Sequence, residues 1–287
     1  MKQDPPHKEK YSLAPWKPIA IDDLIRLGRP LDGGYVISRR CVEESRVLFS
    51  FGISTDWSFE EAFARANRRT VVIGVDGSVS AAVFLSRAVE CIKQALSAIV
   101  GFRTGRAASE CREAAHWLKK SVQFRKFYDG CNHRFHKLFA AGLPKPGVIT
   151  WSDLCRIEPL LATTLNDLPC GFVKMDIEGS EYEVLSDIIV DASKINGMAV
   201  EFHDCDIHWD RFSTIMSQLS KYFAVVHVHG NNFGPLIPDS TTPRVLEISF
   251  INRRLLPDHL QQTMVQYPRS NLDRPCNPAS PDYPIYF

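Results

Sequence analysis

One apolar strand that ends in carboxylates constrains this chain more than any other stretch. Residues 171–177 are mostly apolar and run into Asp176, and Glu178 and Gly179 follow directly. Ligands of open parallel sheets bind at the carboxyl ends of the strands, so carboxylates there are site candidates. Period-2 alternation predicts that Asp176 and Glu178 project to the same side of the strand. Gly179 predicts a sharp turn into a helix.

Alternating strand and helix patterns extend on both sides of this strand. Residues 46–52 and 70–76 read as buried strands, and residues 58–67 between them read as a helix. This unit is expected to be parallel and right-handed. Further strands are predicted near 135–139 and at 198–203, 223–229 and 245–251, with helices at 181–191 and 209–221. The pattern predicts an α/β protein with helices on both faces of a mostly parallel sheet.

Three regions are predicted along the chain. Residues 1–45 form a segment packed on the core, and 46–252 form the main domain with a helical insertion at about 79–120. Residues 253–287 form a tail with proline at every third position from Pro275 to Pro284. Polyproline II has three residues per turn, so these rings would line one edge. The tail is expected to lie across its own domain, and docking to an SH3-like partner is the alternative.

Composition limits the possible partners and compartments. The 287 residues are 45% hydrophobic and carry a net charge of +1, so no global basic field favours nucleic acid or an anionic membrane. Charged residues such as Arg87 and Lys93 interrupt the most apolar segment, 81–102, which predicts a soluble helix rather than a membrane span. The eight cysteines include no C-x-x-C pair. Free thiols in a reducing cytosol, and hence a cytoplasmic protein, fit this usage.

The turn after the first strand favours a cofactor without phosphates. Residues 51–60 lack the G-x-G-x-x-G pattern that lets backbone approach a pyrophosphate, which disfavours a dinucleotide. One glycine followed by small residues suits S-adenosylmethionine (SAM), and Asp76 can accept hydrogen bonds from ribose hydroxyls. The alternative is a turn glycine and a helix cap. The candidate cofactor residues are Gly52, Ser54, Asp56, Asp76, Gly77 and Ser78.

A second polar cluster follows the later strands. Glu201 and His203 share one strand face, and His227 and His229 share another. Polar groups on covered faces need partners, so the cluster suggests a site. A satisfied structural role is the alternative for His227 and Glu247. Carboxylate and imidazole ligands suit a divalent ion, although no fixed-spacing metal motif is present. The candidate ligands are Asp176, Glu201, His203 and Asp204.

The block Lys174 to Glu181 is similar to the K-x-D-x-E-G-x-E block of FkbM-type SAM-dependent methyltransferases. Shorter matches extend over most of residues 30–252. The resemblance implies a Rossmann-like class I methyltransferase fold with a seven-stranded sheet. It places SAM near Gly52 and Asp76, and the acceptor near the ends of the fourth and fifth strands. Members often methylate hydroxyls of sugars, glycans or natural products. The quoted matches are 32–36, 50–52, 59–60, 75–76, 150–154, 201–203, 227–232 and 246–247.

These observations together predict a SAM-dependent O-methyltransferase that acts on a hydroxyl of a saccharide or glycosylated metabolite. His203 or His229 is the expected base, because imidazole titrates near neutral pH. Asp176 and Glu178 are expected to orient acceptor hydroxyls or hold a divalent ion. Methylation of nitrogen, or a non-catalytic SAM-fold scaffold that docks through its tail, are the alternatives. The expected substrate-binding residues are Glu201, Asn231 and Asn232.

Overall fold

Seven strands form the central sheet of the computed structural model, which describes residues 10–129, 133–158 and 171–287. The strands in chain order are β1 Leu24–Leu27, β2 Tyr35–Ser38, β3 Val47–Phe51, β4 Val71–Val75, β5 Arg134–His136, β6 Phe139–Ala140, β7 Val148–Ile149, β8 Gly171–Met175, β9 Ile195–Phe202, β10 Phe223–Gly230 and β11 Leu246–Asn252. The helices are α1 Arg39–Glu44, α2 Ser58–Ala66, α3 Ala81–Val100, α4 Thr104–Tyr128, α5 Trp151–Ile157, α6 Glu181–Ile188 and α7 Trp209–Leu219.

The strand order of the sheet is β5-β4-β3-β8-β9-β11-β10. Neighbours from β5 to β9 pair in parallel, whereas β11 pairs antiparallel with both β9 and β10. The chain leaves β3 toward one edge and returns to β8 on its other side. Ligands of such sheets bind in the crevice at this reversal. The predicted Rossmann-like α/β fold, with a mostly parallel seven-stranded sheet and helices on both faces, is confirmed.

Two apolar layers cover the sheet. Every residue of β3 and β8 is buried, as expected for strands covered on both faces. One layer contains Phe49, Trp151 and Phe212, and the other contains Phe59 and Phe84. Strand positions in such a sheet tolerate polar groups only where partners exist, so the ionisable residues at the strand ends need an explanation.

The predicted helical insertion is a hairpin of α3 and α4. Its second helix continues to Tyr128, beyond the predicted end near residue 120. The ring of Trp57 packs against Phe84 and Phe124, which anchors the base of the hairpin on the apolar layer. Among the described residues, no helix is long and apolar enough to cross a membrane.

The two ends of the chain pack on the main sheet. Strands β1 and β2 form an antiparallel hairpin, and residues 1–9 of the predicted N-terminal segment lie outside the described residues. The tail contacts β10, because Asp282 hydrogen-bonds to His229 and Asp273 pairs with His227. In the structure, the tail therefore packs against its own domain, as expected.

Two strand predictions need correction. The strand predicted at 171–177 ends at Met175. The strand predicted near 135–139 is two short strands, β5 and β6, which belong to different sheets. In both places the apolar pattern continues into a loop because loop side chains also pack into the core.

Candidate active site

The turn after β3 depends on a glycine. Gly52 has φ +76°, and a Cβ atom there would lie 1.6 Å from the carbonyl oxygen of Asp176. No side chain fits between these two backbones, so the ends of β3 and β8 approach each other directly. Ser54, two residues later, also has positive φ. The resulting turn opens a crevice at the reversal of the sheet.

Asp76 holds this turn in place. One carboxylate oxygen accepts the backbone N–H groups of Ile53 at 2.8 Å and Ser54 at 2.7 Å. The other accepts the N–H and the hydroxyl of Ser78, at 2.7 Å and 2.6 Å. Burial raises the pKa of Asp76, but these hydrogen bonds outweigh it and the net pKa is lowered. All four hydrogen bonds are donated by groups of this chain. Asp76 therefore holds the shape of the predicted cofactor-binding turn and also borders it.

A cavity of about 540 Å³ lies beside this turn. Its volume falls within the usual range of small-molecule sites. Phe139, Ala140 and Val148 give it an apolar wall, whereas Asp76 and Asp176 give it a carboxylate edge. The lining residues are Gly52, Ser54, Val75, Asp76, Ser78, Phe139, Ala140, Ala141, Val148, Asp176, Ile177, Glu178 and Ser180.

Two predicted cofactor residues lie outside this lining. Asp56 accepts the N–H and hydroxyl of Ser58 and lies 3.3 Å from Arg29, so it caps α2 and faces a smaller neighbouring cavity. Gly77 packs under Phe139, whose ring lies 2.4 Å from where a Cβ would be. Its role is to let that apolar wall approach.

The carboxylates after β8 do not follow strand alternation. Glu178 has φ +54°, and its side chain is 86% exposed. The prediction that Asp176 and Glu178 share a strand face is therefore wrong, because the strand has already ended. They meet instead around His203, whose Nε2 lies 3.8 Å from Asp176 and 3.6 Å from Glu178.

His203 follows β9 and is fixed from behind. Its Nδ1 lies 2.8 Å from the fully buried carboxylate of Glu181, while its Nε2 faces the carboxylates of Asp176, Glu178 and Glu201 at 3.6–3.8 Å. Burial lowers the pKa of His203, but the hydrogen bond to Glu181 and the neighbouring carboxylates outweigh it and raise the pKa to about 9. The imidazole is therefore protonated near neutral pH.

Glu201 lies at the buried floor of the cluster. It accepts hydrogen bonds from Asn231 at 2.8 Å and from the Tyr35 hydroxyl at 3.3 Å. Burial and the charges of Asp176 and Glu247 raise its pKa well above the ordinary value for glutamate. Burial and the same neighbours also raise the pKa of Asp32. A cation or several hydrogen-bond donors would relieve this crowding of carboxylates.

Asp176 lies where three cavities meet. Besides the cavity beside Gly52, it borders a second of about 470 Å³ and a third of about 120 Å³. The second is lined by Asp32, Asp176, Glu178, Glu201, His203, Asn231, Phe233, Gly234 and Val245. The third contains Arg29, Glu60 and Lys174. A molecule in the first cavity and another in the second would therefore approach each other at Asp176.

His229 and Asn232 belong to a different environment. Nδ1 of His229 lies 2.8 Å from Glu247, and Nε2 lies 3.0 Å from Asp282 of the tail. The amide of Asn232 donates to three tail carbonyls, those of Asn277, Ser280 and Pro281. Both side chains are buried and satisfied, so the geometry argues against catalysis by His229 and substrate binding by Asn232. The tail covers the face of β10 that carries His229, and the sequence pattern did not indicate this contact.

Three of the four predicted metal ligands converge. Ligand atoms of Asp176, Glu201 and His203 lie within 4.8 Å of one another, and the Glu181 contact to Nδ1 is the type of carboxylate support that metal-binding histidines have. These residues could hold a divalent ion. Asp204 instead turns away at φ +49° and pairs with Arg244 at 3.1 Å.

Four residues contribute to the candidate site but were not predicted from the sequence as site residues. Tyr35 and Asp32 approach from the N-terminal segment, Lys174 lies 3.6 Å from Asp176, and Glu181 orients His203. Lys174 and Glu181 are the first and last residues of the acidic block, so the block itself could have indicated them. The Asp-Gly-Gly-Tyr stretch was noted as a match, but nothing in its pattern indicated which strand ends it would reach.

Comparison with known proteins gives a family match for part of the chain. Residues 153–225 match the family model for the methyltransferase FkbM domain. No significant match is found among curated proteins. Similar solved structures include a fibrillarin/Nop5p complex, at 12% identity and TM-score 0.37, covering 73% of each chain.

Two further structures are comparably distant. A fibrillarin pre-rRNA processing protein of Methanococcus jannaschii is 9% identical with TM-score 0.35, covering 82% of this chain and 71% of its own. A precorrin-6y C5,15-methyltransferase of Geobacter metallireducens is 10% identical with TM-score 0.33, covering 74% of this chain and 84% of its own. The family match thus covers residues 153–225, which include the acidic block and β9, and it supports methyltransferase activity.

Proposed function

We propose that this protein transfers the methyl group of SAM to a hydroxyl of a saccharide or saccharide-bearing metabolite. The observation that carries the proposal is the position of Asp176, which borders both a cavity suited to SAM and a polar cavity suited to the acceptor. Methyl transfer requires donor and acceptor to approach in line, and adjoining cavities meet that requirement.

The residues of the cavity beside Gly52 fit SAM. Phe139 and Val148 offer an apolar surface for the adenine, and the carboxylates of Asp76 and Asp176 complement the positive sulfonium. The FkbM family implies use of SAM. The smaller cavity with Arg29 and Lys174 would take the amino-acid end of SAM, because its mixed charges match a carboxylate and an ammonium group.

The acceptor cavity suits a polyhydroxylated molecule. Carboxylate and amide oxygens of Asp32, Glu201 and Asn231 accept hydrogen bonds from hydroxyls, and Phe233 offers an exposed ring against which a sugar face can pack. An apolar acceptor would displace water from these oxygens without offering them the donors that a hydroxyl provides, which is costly.

In the reaction, the acceptor oxygen forms a bond to the methyl carbon as the bond from that carbon to sulfur breaks. The electron pair of that bond remains on sulfur, and S-adenosylhomocysteine leaves. His203 takes the hydroxyl proton on Nε2, the nitrogen that faces the cavity, while Glu181 holds the ring through Nδ1. Because its pKa is about 9, His203 is mostly protonated at neutral pH and becomes competent as the pH rises.

Transfer from methyl-labelled SAM tests the proposal directly. The purified protein would be offered a panel of mono- and oligosaccharides, glycosylated metabolites and primary amines, each with and without EDTA. The proposal expects label in an alkali-stable ether of a saccharide. Label only in amines would replace it with N-methylation, and loss of the activity in EDTA would assign the Asp176, Glu201 and His203 cluster to a metal instead of to proton removal.

A further inference from the structure

We propose that the α3 and α4 hairpin is a dimerisation surface, on which a second copy of this chain packs its own hairpin into a four-helix bundle. The starting observation is a row of exposed apolar residues on α3. Leu85, Val89, Ile92, Leu96 and Ile99 are each between 41% and 59% exposed. Their spacing alternates between four and three residues, which is the repeat of a helix-packing seam.

A matching row lies on α4. Ala108, Cys111, Ala115, Leu118 and Val122 follow the same alternation and are exposed. Neither row contains a charged residue, although α4 carries several charges on its other faces. Surface helices that face only water normally break up such rows with charge.

The two rows lie on the same side of the hairpin. The hairpin buries Ala88 and Ala95 on α3 and Ala107 and Ala114 on α4. Each of these alanines is followed directly by a member of an exposed row, namely Val89, Leu96, Ala108 and Ala115. One residue is a rotation of about 100° in an α-helix. Because the helices run antiparallel, the same rotation turns both rows toward one side, where they form a continuous apolar face.

A second copy fits this face better than another occupant. The exposed fractions give an apolar area of roughly 700–800 Å² per copy, close to the share of about 800 Å² that each partner contributes to a standard interface. The face is also self-complementary, because large side chains on α3 can pack against the small side chains Ala108 and Ala115 of the other copy's α4. Such self-complementarity is what a two-fold interface requires.

Sedimentation velocity on the full chain tests the inference. The wild type is expected to sediment as a dimer, and Leu96→Glu as a monomer with an unchanged far-ultraviolet circular dichroism spectrum, since it weakens association by roughly 100-fold or more. Ala115→Glu, on the other helix, should do the same. The matched control is Val190→Glu, which places the same charge at an apolar residue that is 82% exposed outside the hairpin and should leave the dimer intact.

Three results would overturn the inference. They are a wild type that stays monomeric at tens of micromolar, a dimer that survives both Leu96→Glu and Ala115→Glu, and a monomer that instead pellets with phosphatidylserine vesicles through the same residues. The last result would assign the face to a membrane surface. None of these outcomes depends on SAM or on an acceptor, so the test is independent of the proposed function.

Discussion

At the residue scale, the titration of His203 links the stability of the fold to the proton removal that we propose for it. Its folded-state pKa of about 9 lies above the ordinary value of 6.5 for histidine. The protonated ring therefore stabilises the fold fully below pH 6.5, and this contribution is lost as the pH rises through about 9. The same deprotonation releases the nitrogen that we propose as the base, so activity and this stability term change in opposite directions over one pH range.

The first prediction follows from that opposition. The rate of methyl transfer by the wild type should rise with pH, reach half its maximum near pH 9 and level off above that, whereas His203→Gln should lose about 10²-fold or more and show no such rise. The stability gap between wild type and His203→Gln, up to about 3 kcal/mol at pH 6, should shrink toward pH 9. Urea melts and rates across pH 6–10 measure both quantities. A flat rate profile in the wild type would exclude His203 as the base.

Asp176 carries the second prediction at this scale. Asp176→Asn keeps the shape of the side chain but removes the charge shared by the three cavities, so methyl transfer should fall by about 10²-fold while the melting temperature stays close to that of the wild type. Glu178→Gln is the matched control, since that carboxylate is 86% exposed and should cost much less. Equal losses of kcat in the two variants, measured on the same acceptor, would exclude the role that we propose for Asp176 between the cavities.

At the element scale, the tail acts as a cover for one face of β10 and β11. Buried His227 lies 3.0 Å from Asp273, and His229 bonds Asp282. Burial lowers the pKa of His229, but the charge of Glu247 and the hydrogen bonds to Asp282 and Cys276 outweigh it and raise the pKa well above its ordinary value. The tail therefore both buries these groups and supplies carboxylate partners for His227 and His229.

The third prediction concerns this cover. Deleting residues 268–287 should lower the free energy of unfolding by at least about 3 kcal/mol, because it breaks buried ion pairs and exposes apolar surface. Asp282→Asn should have a smaller effect of the same sign. Differential scanning calorimetry measures both changes. A truncated protein that melts at the wild-type temperature would instead favour the tail as a ligand for another protein.

At the scale of the whole molecule, the cofactor cavity lies between elements that are far apart in sequence. The turns after β3, β4 and β8 all contribute to it, so a ligand there should hold these elements together. Binding to the folded state alone stabilises a protein by about 2.7 kcal/mol when the ligand is at 100 times its Kd.

The fourth prediction is that SAM raises the melting temperature by several degrees. Asp76→Ala should weaken SAM binding by about 1–3 kcal/mol, because the N–H groups of Ile53 and Ser54 lose the acceptor that orders the turn. Asp210→Ala, on an exposed position of α7, is the control and should bind SAM normally. Calorimetric titration of folded wild-type protein with SAM decides the matter, since no detectable binding would exclude the cofactor.

The sequence by itself determined the fold class and the central part of the candidate site. Buried apolar runs separated by amphipathic helices specify a covered parallel sheet, and in such a sheet the strand ends share one edge. Gly52, Asp76, Asp176, Glu201 and His203 were therefore found from their positions at strand ends. Gly52 and Asp76 border the proposed cofactor cavity, Glu201 and His203 border the proposed acceptor cavity, and Asp176 borders both.

Only the tertiary structure decided which polar residues remain available to a ligand. Periodicity shows which way a side chain points but not what covers it, and the partners of His229 and Asn232 lie about 50 residues away in the tail. The positive φ of Glu178 likewise depends on how β8 meets the turn at Gly52, a contact between backbones 124 residues apart in the chain. Such long-range contacts leave no local sequence pattern. The sequence therefore could not show which polar residues line the site and which contact the tail.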